Sequence, residues 1–306
     1  MKQYIKSFEQ SLAVINLAPG TIKLKIWKLT RFIEYLNQNS IDNVDNITTQ
    51  IIEAYRVEIY HSLNEKGHQN SVAYQNSMLT VIRQFTRYLY KQNLIVSDPG
   101  KDIRYAKIPK TLPKSVLTPK EAKKIIHAPD LRTITGYRDR TILEILYSSG
   151  IRKDEVNQLT TKGVDYHDGY LMIENGKGGK DRIVPIGKIA CRYLENYIKS
   201  VRPELLINKG VDHLFLSLRG RQLSKNVVWD LVKKYAKKAR IKKNVHPHTF
   251  RHTCATGMLK NKADLNTIRK ILGHSSLNTT QIYTHLNISD LKAVHKKCHP
   301  REKDKV

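Results

Sequence analysis

The chain has 306 residues, enough for two domains that each bury a core, and its hydrophobic content of 40% is ordinary. It contains 54 lysine and arginine residues against 27 aspartate and glutamate residues, a net charge of +27 at pH 7. This excess predicts a polyanionic partner. Nucleic acid ranks ahead of a membrane surface, because no apolar run approaches the ~18–20 residues that would span a membrane.

The cysteines and the first residues indicate the compartment. Cys191, Cys254 and Cys298 are odd in number and far apart, so they predict neither a disulfide framework nor a CxxC metal site. The opening stretch MKQYIKSFEQ lacks the apolar core of a secretory signal peptide. A cytoplasmic protein in a reducing environment is therefore expected.

The first hundred residues show apolar stripes at helical spacing, which predict an all-helical domain over residues 1–107. The predicted helices begin at Pro19, with Ile22, Ile26, Leu29, Ile33 and Leu36 inward; at Thr48, with Ile52, Tyr55, Ile59 and Leu63 inward and Gly67 at the end; and at Ser71, with Met78, Ile82, Phe85 and Leu89 inward. The basic side chains that lie mostly off these stripes are Lys23, Lys25, Lys28, Arg83 and Arg87. They are either solvated surface residues or contacts to a DNA backbone.

A change in composition follows this domain. Two prolines in a lysine-rich stretch predict an extended linker over residues 108–116. A capping box then predicts a new helix, with Thr118 at the cap, proline after it and Glu121 at the third helical position. The second domain is therefore assigned to residues 117–306.

The second domain begins with helices. A helical run from Tyr137 to Tyr147 ends at Gly150. Arg152 therefore stands at the corner before the next helix, with Glu155 one turn on to hold it.

A β-hairpin is predicted next. Strand-like residues 170–173 and 182–186 flank the tip NGKGGK, which carries Lys177. The tip lacks the GxxxxGK[ST] spacing and the following helix of a nucleotide-binding loop. Helical patterns return at residues 189–199 and 227–239, and a basic helix is predicted from Leu291 to Lys297. The predicted fold is mostly α with a small antiparallel β-sheet: an all-helical amino-terminal domain and a mixed α+β domain.

The stretch from His246 to Tyr283 concentrates the candidate chemistry. His248 and Arg251 are three residues apart and share one helix face, where they can meet an anion. His274 follows a glycine that would end a helix, and Tyr283 comes a few residues later. Cationic groups beside a phenol predict phosphate chemistry with a tyrosine nucleophile.

Together these residues resemble the tyrosine recombinases of the Xer and phage-integrase type. The matching motifs are SGIRKDE at residues 149–155, GKG at 176–178, PHTFRH at 247–252, LGH at 272–274 and TTQIYTH at 279–285. Their order and spacing agree over residues 115–290 or so, and the helical first domain and the linker agree as well. The resemblance implies a SAM-like core-binding domain that binds DNA, followed by a catalytic domain.

The resemblance also implies how a scissile phosphate would be held. Arg152 and Arg251 would grip its non-bridging oxygens, for which planar guanidinium forks suit better than lysine. His248 and His274 would add hydrogen bonds that strengthen as charge builds in the transition state, with His248 as the candidate base.

The remaining implied roles concern bond making and breaking. Tyr283 would attack phosphorus and form a 3′-phosphotyrosine link, and Lys177 would protonate the departing 5′ oxygen. Glu155 would orient Arg152, and His252 would support the second arginine motif. Because the covalent link conserves the bond energy, the resemblance implies neither ATP, nor a metal, nor another cofactor.

The implied partner is double-stranded DNA with paired inverted binding arms. A homotetramer would form on two synapsed sites, alone or with a second related recombinase or accessory proteins. The final helix of each chain would pack on a neighbouring protomer. Such enzymes recombine through a Holliday junction, in mobile-element integration and excision or in resolving replicon dimers.

Three other functions compete with this interpretation. A zinc hydrolase could use His246, His248, His252 and His274, but the sequence has no HExxH motif and few acidic residues nearby. Type IB topoisomerases share the tyrosine chemistry, but the motifs match the Xer-like pattern. A non-catalytic DNA-binding protein would keep the charge and lose the six catalytic residues, all of which are present.

Overall fold

The computed structural model describes residues 1–65, 67–108, 116–174, 181–208, 210–273 and 288–303. The chain divides into two compact units, Met1–Thr111 and Leu112–Val306, here called the amino-terminal and carboxy-terminal units. Most of the predicted linker lies outside the described residues. The mostly helical fold class with a small antiparallel sheet is confirmed. Among the described helices, none is both long and apolar enough to cross a membrane.

The described part of the amino-terminal unit consists of helices joined by turns and loops, with one isolated β-bridge between Leu63 and Gln69. Its helices are α1 (Lys2–Val14), α2 (Pro19–Gln38), α3 (Thr49–His61) and α4 (Val72–Lys91), with a short 3₁₀ turn at Val44–Asn46. The predicted helix starts at Thr48 and Ser71 are confirmed, because each of these side chains caps the following helix by accepting a hydrogen bond from its first turn. Apolar residues from all four helices form one core.

Two details of this unit differ from the sequence predictions. The first helix, α1, was not predicted, although Phe8 and Leu12 lie four residues apart and are buried against the core. Leu63 was predicted to point inward but is 62% exposed. The reason is that α3 ends at His61, so Leu63 belongs to the turn that follows.

The carboxy-terminal unit surrounds a second core. Its described helices are α5 (Pro119–Ile126), α6 (Ile134–Ser149), α7 (Lys153–Gln158), α8 (Lys188–Asn196), α9 (Arg202–Leu205), α10 (Val227–Lys238), α11 (Pro247–Lys260), α12 (Leu265–Leu272) and α13 (Ile288–Cys298), with a π-helical turn at Tyr197–Val201 and a 3₁₀ turn at Pro300–Lys303. The predicted capping box of Thr118 and Glu121 is present at α5. Helix α6 is buried along nearly its whole length and forms the centre of this unit.

The sheet of this unit, within the described residues, is antiparallel in the order β1-β2-β3. Its strands are β1 (Val164–Asp165), β2 (Tyr170–Ile173) and β3 (Arg182–Pro185). The predicted hairpin strands are confirmed, because β2 pairs with β3 in a register that sets Ile173 opposite Arg182. The hairpin tip with Lys177 lies outside the described residues.

The terminal segment, which comprises α13 and the 3₁₀ turn that follows it, packs against α6 of its own chain. Ring N–H groups of His295 and His299 donate to the carbonyls of Ser148 and Tyr147, at 2.8 and 3.0 Å. Arg301 pairs with Glu144, whose side chain is fully buried. The predicted terminal helix is confirmed as α13, whereas its packing on a neighbouring protomer stays a prediction.

Because these two histidines are buried, we expect the free energy of unfolding to decrease in mild acid. Burial lowers the pKa of His295 to about 4, and burial followed by the charge of His295 lowers the pKa of His299. As the pH falls, these histidines therefore take up protons in the unfolded chain before they do so in the folded chain. The free energy of unfolding consequently decreases as the pH falls from ~6.5 towards 4. For His295 alone the lowered pKa corresponds to about 3 kcal/mol of unfolding free energy.

Denaturant unfolding of the whole chain at pH 7 and pH 4.5 measures this effect. His295→Gln should unfold more easily at pH 7 and should flatten the pH dependence. The matched control is His167→Gln, because His167 is exposed in the same unit. A pH dependence in His295→Gln as steep as in the wild type would contradict the assignment.

Candidate active site

The first predicted arginine stands at the corner between α6 and α7. Gly150 ends α6 with a φ of +63°, and a Cβ there would lie only 2.6 Å from Leu272, so glycine is needed on both counts. Arg152 stands at the predicted corner as the N-cap residue of α7, and both its amide and its guanidinium donate to Glu155, each at 2.8 Å. A further N–H of Arg152 donates to the carbonyl of Gly273 at 2.6 Å.

The second predicted arginine lies on α11. Arg251 is 6% exposed and donates to the carbonyls of Gly150 and Leu272, at 2.8 and 2.6 Å. Burial and then the charge of Arg152 lower the pKa of Arg251 to about 10, so it stays charged at neutral pH. No carboxylate lies within salt-bridge distance of Arg251 in the described part of the chain.

The end of α12 brings the two arginines together. The last carbonyls of a helix lack intrahelical partners and carry partial negative charge, which makes them good acceptors for guanidinium groups. Here the carbonyls of Leu272 and Gly273 accept from Arg251 and Arg152 respectively, so two neighbouring residues hold both side chains. Gly273 ends the helix with a φ of +66°, as the sequence predicted.

Both guanidinium groups keep N–H donors for an anion. A guanidinium carries five N–H donors. In the described residues the side chain of Arg152 uses one on Glu155 and one on a carbonyl, and that of Arg251 uses two on carbonyls. The pair can therefore bind a phosphate without losing the contacts that fix it.

The predicted histidines of α11 lie beside this pair. His248 is exposed in the first turn, one turn before Arg251. Partial burial, followed by the charges of His246 and Arg251, lowers the pKa of His248, which favours the neutral ring that a base requires. His252 is also exposed, and its electrostatic interaction with His246 and His248 contributes to the lowered pKa values of those two residues.

Three predicted catalytic residues lie outside the described residues, namely Lys177, His274 and Tyr283. Residues 175–180, which include Lys177, and residues 274–287, which include His274 and Tyr283, are not among the described residues. The structure therefore brings together Arg152, His248 and Arg251 with Glu155, and the roles of the other three stay predictions. Among the described residues, no three histidine, cysteine or acidic side chains form a metal-binding group.

Arg182, which was not predicted from the sequence, also donates to Glu155. The signal was present in the strand pattern, because side chains two residues apart in a strand share one face. Val184 is fully buried and Ile183 is exposed, so Arg182 shares the inward face of β3. A charged residue on an inward face needs a partner, and Glu155 is the one it finds.

The basic residues predicted to contact DNA are arranged on α2 and α4. Lys25 donates to Gln84 at 2.7 Å and Lys28 donates to Ser77 at 2.8 Å, so neither charge is neutralised by these contacts. Partial burial lowers the pKa of Lys25, and burial together with the charge of Lys25 lowers the pKa of Lys28. Lys23 lies on another side of α2, because residues two apart are separated by about 200° around a helix. The other two predicted contacts on α4 are the half-buried Arg83 and the exposed Arg87.

Comparison with known proteins identifies the family. The model of the phage integrase family matches residues 115–289, more than half of the chain. The chain belongs to the phage integrase family. Tyrosine recombinase XerD of Staphylococcus epidermidis is 38% identical over 286 residues, which cover 94% of each chain. XerD of Staphylococcus aureus is 35% identical over the same length and coverage. This member of the family is therefore a tyrosine recombinase, an enzyme that cuts and rejoins DNA strands.

Solved structures share the fold of this phage integrase family member. A lambda integrase dimer bound to a COC′ core site is 19% identical with a TM-score of 0.66, and covers 92% of this chain and 99% of that one. XerH recombinase bound to its difH substrate is 24% identical with a TM-score of 0.65, and covers 89% and 78%. Their likeness supports the predicted mostly helical fold. The family match and the relationship to XerD do not favour the alternative of a non-catalytic DNA-binding protein.

Proposed function

We propose that the site around Arg152 and Arg251 binds the scissile phosphate of a DNA site and that Tyr283 attacks it. The observation that carries this proposal is the pairing of both guanidinium groups on the adjacent carbonyls of Leu272 and Gly273. Two fixed cations with spare donors offer a binding site for one phosphate, and charge that builds on its oxygens meets donors already in place.

In the proposed cleavage step, the phenol oxygen of Tyr283 bonds to phosphorus and the bond from phosphorus to the 5′ oxygen breaks. His248, whose lowered pKa keeps its ring neutral and able to accept a proton, takes the phenol proton. Lys177 gives a proton to the departing 5′ oxygen. His274 adds a hydrogen bond to the phosphate. The product is a 3′-phosphotyrosine link and a free 5′-hydroxyl.

In the proposed rejoining step, the 5′-hydroxyl of a partner strand attacks the phosphotyrosine and Tyr283 leaves with its proton restored. One such exchange joins two duplexes in a Holliday junction, and a second exchange resolves it. Each phosphodiester bond broken is replaced by one formed, so the cycle needs neither ATP nor a cofactor. Two residues support this cycle. His252 contributes to the electrostatic environment of His248, and Glu155 holds the guanidinium of Arg152.

A nicked duplex tests this proposal. Candidate sites come from the DNA that flanks the gene, and a nick near the cleavage point lets the short 5′-hydroxyl fragment diffuse away. Wild-type protein should then form a covalent complex that survives detergent, with EDTA present and ATP absent. Tight binding to the site without any covalent complex would contradict the assignment of chemistry to this site.

We further propose that the amino-terminal unit is the core-binding domain, which holds the DNA through Lys25 and Lys28. This unit has 15 basic and 9 acidic residues up to residue 110, and the rest of the chain has 39 and 18, so both units attract the same polyanion. The two lysines have uncharged partners, which leaves their charge available to phosphates. Lys23, Arg83 and Arg87 extend this surface.

Salt dependence tests the role of these lysines. Each phosphate contact adds about −0.9 to the slope of log affinity against log salt, so Lys25→Gln with Lys28→Gln should make the slope shallower by about two. Lys2→Gln with Lys6→Gln is the matched control, because both of these lysines are exposed on α1. Equal slopes in the two double variants would remove Lys25 and Lys28 from the DNA interface.

The proposed assembly is a homotetramer on two synapsed sites with inverted binding arms. A lambda integrase tetramer bound to a Holliday junction shares the fold at 19% identity and a TM-score of 0.66, which supports this proposal. A second related recombinase or accessory proteins could complete it. We place the enzyme in the cytoplasm, where three unpaired cysteines stay reduced, in mobile-element integration and excision or in replicon dimer resolution.

A further inference from the structure

Glu155 holds arginines from two distant parts of the chain. Each of its carboxylate oxygens accepts one N–H from Arg152 and one from Arg182, at distances between 2.7 and 2.9 Å. Its side chain is only 8% exposed. Burial alone would raise the pKa of Glu155, but the hydrogen bonds from Arg182 and Arg152 outweigh it and hold the pKa below its usual value. Glu155 is therefore a carboxylate at neutral pH.

Arg182 also contacts Gly273, the other residue that holds the side chain of Arg152. Its guanidinium lies against Gly273, where a Cβ would come within 2.7 Å of the Arg182 Nε. The carbonyl of the same glycine accepts from Arg152. Arg182 thus borders both groups that fix the guanidinium of Arg152, and its own position is fixed by two parallel hydrogen bonds to Glu155.

The charges of this group explain why Glu155 needs Arg182 as a partner in addition to Arg152. Glu155 orients Arg152 but also cancels its positive charge, close to where a phosphate must bind. Arg182 adds one positive charge to the same carboxylate, so the trio of Arg152, Glu155 and Arg182 keeps a net charge of +1. Arg251 adds another, which leaves the site with the positive field that developing phosphate charge requires.

Arg182 further links the site to the β2–β3 hairpin. It is the first residue of β3 and pairs across the hairpin with the buried Ile173. The tip that carries Lys177 lies between these two residues in the sequence. The ion pair with Glu155 therefore fixes the base of this hairpin to the α6–α7 corner.

We propose that Arg182 is a positioning residue for DNA cleavage. It holds Glu155 so that Arg152 faces the phosphate, it offsets the charge of Glu155, and it anchors the hairpin that carries Lys177. This inference rests on the proposed function of the site.

The test compares Arg182→Met and Arg182→Lys with the control Arg192→Met, which removes an equal charge from an exposed position in the same unit. Single-turnover formation of the covalent complex on the nicked duplex gives the rate. DNA affinity is measured separately by gel shift. Arg182→Met should lower the rate about 10²-fold, as expected for a lost contributor to transition-state stabilisation, and should change the affinity little. Arg182→Lys keeps the charge and should fall between Arg182→Met and the control.

A double-variant cycle separates positioning from a purely structural role. If Arg182 acts through Arg152, Arg182→Met should lower the rate of covalent-complex formation by a much smaller factor in an Arg152→Lys background than in the wild type. Because loss of a buried ion partner can destabilise the fold, Arg182→Lys provides the decisive comparison if Arg182→Met fails to fold. A rate for Arg182→Lys equal to the control, or fully multiplicative effects in the cycle, would overturn the proposal. Absence of a covalent complex in the wild type would overturn the proposed function first, and this inference with it.

Discussion

Tyr283→Phe should abolish covalent capture of DNA while leaving DNA affinity nearly unchanged. The substitution removes one oxygen, the proposed nucleophile. The proposed phosphate contacts from Arg152 and Arg251 remain, because backbone carbonyls at the end of α12 hold both side chains. A free tyrosine has a pKa near 10, so the cationic site and a base are needed to make its oxygen reactive at neutral pH. The expected loss is complete, because no other group of the site replaces the phenol.

The measurement is the nicked-duplex capture, run beside a gel shift on the intact site. Tyr90→Phe is the matched control, because Tyr90 is an exposed tyrosine of the amino-terminal unit. It should capture DNA at the wild-type rate. A covalent complex formed by Tyr283→Phe would show that the nucleophile has been assigned to the wrong residue.

Lys177→Ala should slow cleavage by ~10²–10⁴-fold, the usual contribution of a general acid, with little change in affinity. The departing 5′ oxygen of a normal strand is a poor leaving group unless it gains a proton. A substrate with sulfur in place of that bridging oxygen releases a thiolate, which needs no proton. Lys177→Ala should therefore cleave the sulfur substrate at nearly the wild-type rate.

Lys180→Ala is the matched control for this experiment, since Lys180 is the other lysine of the same tip. It should cleave both substrates like the wild type. Equal impairment of Lys177→Ala on the oxygen and sulfur substrates would mean that Lys177 does something other than donate a proton to the leaving group.

The parts of this fold that could be predicted from the sequence depend on short-range signals. Thr118 and Glu121 form a capping box within four residues, and the structure contains it. Arg152 and Glu155 are one helical turn apart, and their ion pair is present. In such cases one local conformation fixes the contact, so the residues alone are sufficient evidence.

The parts that could not be predicted join distant residues. Arg152 reaches Gly273 across 121 positions, and Arg182 reaches Glu155 across 27. No local propensity encodes these distances, because they follow from how α12 and the hairpin pack around α6. The same holds for the terminal segment, where His295 finds a carbonyl 147 positions away.

Mapping the covalent link shows directly whether Tyr283 is the nucleophile. Trypsin cuts after Lys270 and Lys292, and the peptide between these sites contains a single tyrosine, Tyr283. Captured protein should be digested with trypsin and nuclease and analysed by mass spectrometry with fragmentation. A nucleotide remnant is expected on residues 271–292, localised to Tyr283. A remnant on any other residue would contradict this assignment.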